Sequence, residues 1–123
     1  MSWVVKFHRD FEPEFDALHK NVRKKLITRA SLLETFGSEL GRPYVDTLNG
    51  SQHSNMKELR FKVADGVWRV AFAFDLKRNA ILLVAGDKSG DSESRFYTQL
   101  IKTADARFDA HLEQLKNQQE KKE

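Results

Sequence analysis

Cysteine is absent from this 123-residue chain, proline occurs twice and glycine six times. No apolar run approaches the roughly 18 residues that a membrane span needs. Without cysteine there is neither a disulfide framework nor a thiolate metal site, which agrees with a reducing compartment. The opening stretch "MSWVVKFHRDFEPEF" carries no apolar h-region and no small-residue cleavage site, so a soluble, cytoplasmic protein is expected. The four histidines, His8, His19, His53 and His111, make no HxxxH or HExxH spacing, and each reads as a surface or packing residue. A GxSxG elbow and a phosphate-binding glycine loop are also missing, so neither a metal nor a cofactor is expected.

What remains is a mildly basic chain, +3 at neutral pH with a pI near 9.2, long enough to bury a core without covalent staples. Such a charge suits a nucleic-acid partner and equally suits an ordinary domain, so placement of the charges has to decide. One domain is expected over residues 1–115, with a polar tail over 116–123 that frays.

Trp3 to Phe7 is short, aromatic and β-branched, which suits a first strand. Phe11, Phe15, Leu18, Val22, Leu26, Ala30, Leu33 and Phe36 then fall three or four apart, the spacing of one amphipathic helix or two. Pro13 fits a first helical turn, Asn21 is a candidate cap for a second helix, and Gly37 a candidate C-cap. The segment "GSELGRPYVDTLNGSQHSN" reads as a mostly irregular connection, with a helical turn or short strand around Tyr44 to Leu48. Three strand-like runs follow, Met56 to Val63, Val67 to Asp75 and Ala80 to Asp87, with links short enough for an antiparallel meander. From Glu93, the residues Phe96, Leu100, Ala104, Phe108, His111 or Leu112, and Leu115 return to helical spacing. The fold class is therefore α+β: a strand and one or two helices packed on a β-meander, then a C-terminal helix.

Alternation puts Leu59, Phe61 and Val63 on one sheet face and Glu58, Arg60 and Lys62 on the other. In the next strand Trp68, Val70, Phe72 and Phe74 form the apolar set, with Arg69, Ala71 and Ala73 opposite. A two-residue loop at Asp65-Gly66 would pair Lys62 with Arg69 and Arg60 with Ala71, turning both charged sets to water. Small neighbours at Ala71 and Ala73 suggest a shallow basic floor beside Arg69. Lys88 would arrive near its edge, and Arg95 and Tyr97 would form a rim. The same pattern is also that of a plain solvated sheet face, with Glu58 paired to Arg60 or Arg69.

The order of elements, together with "LGRPYVDTLNGS", "KELRFKVADGVWRVAFAFD", "ILLVAGDKSG" and "RFYTQLIKTADARFDAHL", resembles the phage Gp49-like branch of the HigB toxins, within the RelE/ParE superfamily. The likeness runs from Val4 to about Leu115. It implies a RelE-like fold and the toxin of a type II toxin-antitoxin system, a ribosome-dependent endoribonuclease that cleaves mRNA and is held by a helix-turn-helix antitoxin that represses the operon. It also implies site roles. Arg69 matches the arginine that stabilises the scissile phosphate, Lys88 the basic residue after the last strand, and Tyr97 the aromatic of the C-terminal helix. Relatives place lysines on the strand before Arg69, where this chain reads "KELRFK", so Arg60 is expected to assist and Glu58 is a candidate base. Lys57, Lys62 and Arg95 are expected to add RNA contacts. The ParE branch offers the alternative of a non-catalytic inhibitor of DNA gyrase.

Overall fold

The computed structural model describes residues 3–121, in the order β1 (Val4–Phe7), α1 (Phe11–Asp16), α2 (Lys20–Phe36), a 3-10 turn (Gly37–Glu39), β2 (Val45–Thr47), β3 (Met56–Val63), β4 (Gly66–Phe74), β5 (Asn79–Asp87) and α3 (Glu93–Lys121). The five strands form one sheet in the order β1-β5-β4-β3-β2. β1 lies parallel to β5, and all other pairs are antiparallel. The expected α+β architecture and its meander are borne out.

The apolar stripe divides into two helices. His19 interrupts it, and its Nδ1 accepts the Asn21 N–H at 3.1 Å, so His19 caps α2 and Asn21 does not. A histidine with an unprotonated Nδ1 supplies the acceptor that a first turn lacks. Val22, Leu26, Ala30 and Leu33 then bury one face of α2 against Leu59, Phe61, Val70, Phe72 and Leu82. Gly37 ends the helix as expected, at φ +54°, with its N–H on the Leu33 carbonyl. A Cβ there would stand 1.8 Å from Trp3 Nε1, so the glycine also makes room for the indole.

The opposite face of the sheet is not open. α3 lies across it, burying Phe96, Leu100, Ala104 and Phe108 on Met56, Ala71, Ala73, Ile81 and Leu83. Ala71 and Ala73 are fully buried, and the shallow floor expected beside Arg69 does not exist. Small side chains serve here to let a helix approach closely. A bulge between β4 and β5 sets Ala71 opposite Val84 and Phe72 opposite Leu82, so that Leu83 and Val84 both pack toward α3. Two further ties hold the helix down. Asp105 accepts the Ser51 hydroxyl and the Gln52 N–H, and Asp75 accepts His111 at 3.0 Å.

The β3–β4 hairpin turns one residue earlier than its Asp-Gly step suggests. Val63 pairs with Gly66, leaving Ala64-Asp65 as the loop, and Ala64 takes a left-handed φ of +50°. Gly66 is needed inside the strand, because a Cβ there would meet Trp68 Nε1 at 2.6 Å. The displacement moves the pairing by two positions, so Arg60, not Lys62, stands opposite Arg69, and the face assignments survive. Residues 116–121, expected as a frayed tail, continue α3. Gln, Glu and Lys are good helix formers, and polarity alone does not end a helix.

Candidate active site

Glu58 and Arg60 are two residues apart on β3, and Arg69 pairs directly with Arg60 from β4, so all three side chains leave the same face near the start of α3. Glu58 takes hydrogen bonds on both carboxylate oxygens. Arg60 Nη1 donates to Oε2 at 2.8 Å, and the Tyr97 hydroxyl donates to Oε1 at 2.7 Å. Arg69 Nε donates to the Tyr97 oxygen at 3.2 Å and lies 3.6 Å from Glu58 Oε1, while its Nη1 donates to the Trp68 carbonyl. Two guanidinium groups thus flank one carboxylate through one phenol. Burial, then the hydrogen bond to Glu58, pushes the Tyr97 phenol above its ordinary value, so at neutral pH it keeps its proton and acts as a donor.

The members differ in access. The Arg60 side chain is 22% exposed, whereas those of Glu58 and Arg69 are each 6% exposed. Arg69 therefore reads as the buried brace of the cluster and Arg60 as its outward face. The expectation that both arginines lie open to water is corrected: α3 covers the face, and a notch at its N-terminal end reaches Glu58, Arg60 and Tyr97. That notch is a cleft of about 500 Å³ lined by Glu58, Arg60, Tyr97, Lys88, Arg42 and Asp46, among others.

Lys88 enters it from the end of β5. Asp87 fixes the approach by accepting the Val67 N–H at 2.9 Å and the Ser89 N–H at 3.0 Å. Burial acts to raise Asp87, but those bonds and the Ser89 hydroxyl outweigh it and hold the carboxyl below its usual range. Lys88 Nζ donates to Glu93 at 3.1 Å and sits 5.7 Å from the centre of the Tyr97 ring. On the far wall Arg42 donates through Nε and Nη2 to Asp46, and that bond, then the Thr47 N–H, lowers the Asp46 carboxyl.

Five of the expected site residues thus converge: Glu58, Arg60, Arg69, Lys88 and Tyr97. Tyr97 sits inside the cluster instead of on a rim. None of the three expected RNA contacts, Lys57, Lys62 and Arg95, lines that notch. Lys57 alternates onto the α2 side of the sheet, where its Nζ donates to Thr47 Oγ1. Arg95 is 75% exposed, beside Asp91, and lines neither the notch nor the cleft at the β3 edge. Lys62 lines a separate cleft around the β3 edge, with Lys25, Arg29, Tyr44, Arg60 and Arg69. Arg42 and Asp46 were not anticipated, since they come from the segment that reads as irregular. A guanidinium, an ammonium, a phenol and a carboxylate around one cleft can hold a phosphodiester and move protons at it. Among the described residues no cluster of His, Asp or Glu suits a metal ion, and no helix is long and apolar enough to cross a membrane.

The fold is shared with solved RelE proteins. The Escherichia coli toxin RelE, an arginine-substituted mutant in the free state, superposes with a TM-score of 0.55 at 14% identity, over 82% of this chain and 95% of that one. The archaeal RelE in its RelE-RelB complex from Pyrococcus horikoshii OT3 superposes at 0.53 with 18% identity, over 73% and 99%. This is a RelE-like α+β protein. The family described as "Phage derived protein Gp49-like" matches residues 13–109, and the chain belongs to that family and is HigB-like. Two relatives from Mycobacterium tuberculosis are candidate toxins: HigB2, 39% identical over 99% of this chain, and HigB3, 45% identical over 80% of this chain and 83% of its own length. The chain spans 60% of the length of HigB2.

Proposed function

We propose that this protein is the toxin of a toxin-antitoxin pair and that it cuts mRNA in the cytoplasm, on the ribosome, using the Glu58–Arg60–Tyr97–Arg69 cluster. The observation that carries the reading is the shared carboxylate: Glu58, held on one oxygen by Arg60 and on the other by Tyr97, at the floor of a cleft that Lys88 enters. A plain solvated face does not bury a carboxylate between two arginines. The toxin names of the HigB relatives support it, and the RelE-RelB complex supports a protein antitoxin as partner.

RNA needs no outside nucleophile, because its own 2′-hydroxyl can attack the adjacent phosphorus. The O2′–P bond forms and the P–O5′ bond breaks, leaving a 2′,3′-cyclic phosphate and a 5′-hydroxyl. Arg60, the exposed guanidinium, grips the phosphate and offsets its growing charge. Glu58 takes the 2′-hydroxyl proton, oriented by Tyr97 and Arg60. Lys88 lies across the cleft to protonate the departing O5′ or to clamp a neighbouring oxygen. Arg69 holds Tyr97 in place from beneath.

Induced expression should arrest growth and shorten transcripts, and co-expression of the cognate helix-turn-helix antitoxin should restore both. Growth arrest with intact transcripts and DNA-damage signalling would instead identify a gyrase inhibitor.

A further inference from the structure

We propose that the cleft at the free edge of β3 is a second RNA subsite, which grips the backbone phosphate next to the scissile one. The inference rests on the nuclease reading and adds to it a place for the flanking nucleotide.

The cleft holds about 350 Å³ and is lined by Lys25, Arg29, Tyr44, Arg60, Lys62 and Arg69, with Pro43 and Phe61. It exists because β2 covers only part of its neighbour. Val45–Thr47 pairs with Lys57–Leu59, and the last β2-side bond runs from the Arg60 N–H to the Tyr44 carbonyl at 2.8 Å. Beyond that point no strand among the described residues lies beside the edge at Lys62, and Lys25 and Arg29, one turn apart on α2, close the space from the other side.

Its charge separates it from the catalytic cleft. There, Arg42, Arg60 and Lys88 stand against Asp46, Glu58 and Glu93, three of each sign. Here five cations line the walls and no carboxylate does. Glu58 neutralises part of Arg60 and Arg69, but Lys25, Arg29 and Lys62 make no ion pair among the described residues. Three unpaired cations around a concave site concentrate an anion.

Arg29 carries the second argument. Its guanidinium lies 4.9 Å from the centre of the Tyr44 ring, and its Nε is a buried donor with no acceptor. The Tyr44 ring holds that guanidinium at the wall of the cleft, where its outer N–H groups can meet a phosphate oxygen. Arg60 lines both clefts, so the two sites adjoin, and a strand whose scissile phosphate meets Arg60 in one runs on into the other.

Fluorescence anisotropy with 2′-O-methyl RNA, which binds but lacks the attacking hydroxyl, tests the proposal with oligomers of two and six nucleotides. The wild-type protein should bind the six-mer at least about tenfold more tightly than the two-mer, with a salt slope larger by about 0.7 per added phosphate contact. The double variant Lys25→Gln/Lys62→Gln should shrink that gap to less than threefold. Arg29→Lys, which keeps the charge and loses the fork, should shrink it in part while circular dichroism and melting stay those of a folded protein. Lys24→Gln, which removes one positive charge on another face of α2, should leave the gap intact. A gap unaltered in the folded Lys25→Gln/Lys62→Gln protein overturns the subsite alone. So does a double variant that loses only affinity for the antitoxin, or a Lys24→Gln protein that loses as much as the cleft variants. Failure of the wild-type protein to favour the six-mer likewise overturns the subsite, whereas the nuclease reading falls only if transcripts stay intact after induction.

Discussion

Arg60 and Arg69 are direct partners across the β3–β4 ladder, and both guanidinium groups reach the same carboxylate, Glu58, at 2.8 and 3.6 Å. Like charges directly opposite destabilise a sheet unless something lies between them. Glu58 supplies the opposite charge, and it binds two positive charges to one spot where an RNA phosphate would otherwise be the nearest anion.

Glu58→Gln should therefore weaken the fold as well as the chemistry. Removing the charge from a buried ion cluster costs about 3 kcal/mol, because the remaining partners are left uncompensated. Urea unfolding should show a lower midpoint with an unchanged slope, and added phosphate should restore part of the loss. An unchanged midpoint would mean that the arginines do not depend on Glu58.

Tyr97→Phe removes the donor to Glu58 Oε1 and the acceptor of Arg69 Nε with almost no change of shape. Orienting a proton acceptor is worth about two orders of magnitude or more in rate. The expected outcome is about a hundredfold slower cleavage with RNA affinity changed less than threefold. A large loss of affinity at normal rate would assign Tyr97 to binding instead.

Parity of the strands was legible in the residues, because alternation is insensitive to where the turn falls by an even number of positions. The turn itself was not. Asp65-Gly66 is a strong local signal, but the Trp68 indole claims Gly66, a contact visible only in three dimensions. The closed face was missed for a similar reason: Ala71 and Ala73 read as bare floor or as seats for a helix, and only the path of α3 decides. Met56, apolar and fully buried on the charged side of β3, is the residue in that strand that signals the burial. Arg69, Arg60, Glu58, Lys88 and Tyr97 could be picked out by resemblance and by face. Lys25 and Arg29 carried only an i,i+4 spacing on a helix whose other cations look alike.

Acid should loosen the joint between the β4–β5 turn and α3. Burial acts to raise the Asp75 carboxyl, but bonds from His111, Asn79 and the Lys77 N–H outweigh it and hold it below its ordinary 3.8. A depressed native value stabilises the fold fully above the ordinary one, and that contribution disappears as pH falls through the native value. Asp75→Asn should flatten the loss of stability below about pH 4 that the wild-type protein is expected to show, while costing some stability at neutral pH. Superimposable acid limbs would count against the joint.

Gly37→Ala should be among the most damaging alanine substitutions outside the core. It sets a Cβ within 1.8 Å of Trp3 Nε1 at a φ of +54°, whereas a Cβ on Gly41 meets nothing within 4 Å. A melting comparison should place Gly37→Ala about 2 kcal/mol or more below wild type and Gly41→Ala within about 0.5. Equal melting temperatures would refute the packing of the indole.

The most direct measurement maps the ends of cellular transcripts after induction of the wild-type protein and of Arg60→Ala. Discrete new 5′-hydroxyl ends, opposite 2′,3′-cyclic phosphates, should appear with the wild type and vanish with a folded Arg60→Ala protein. Intact transcripts with the wild type, or the same ends at the same yield from Arg60→Ala, would contradict RNA cleavage at this cluster.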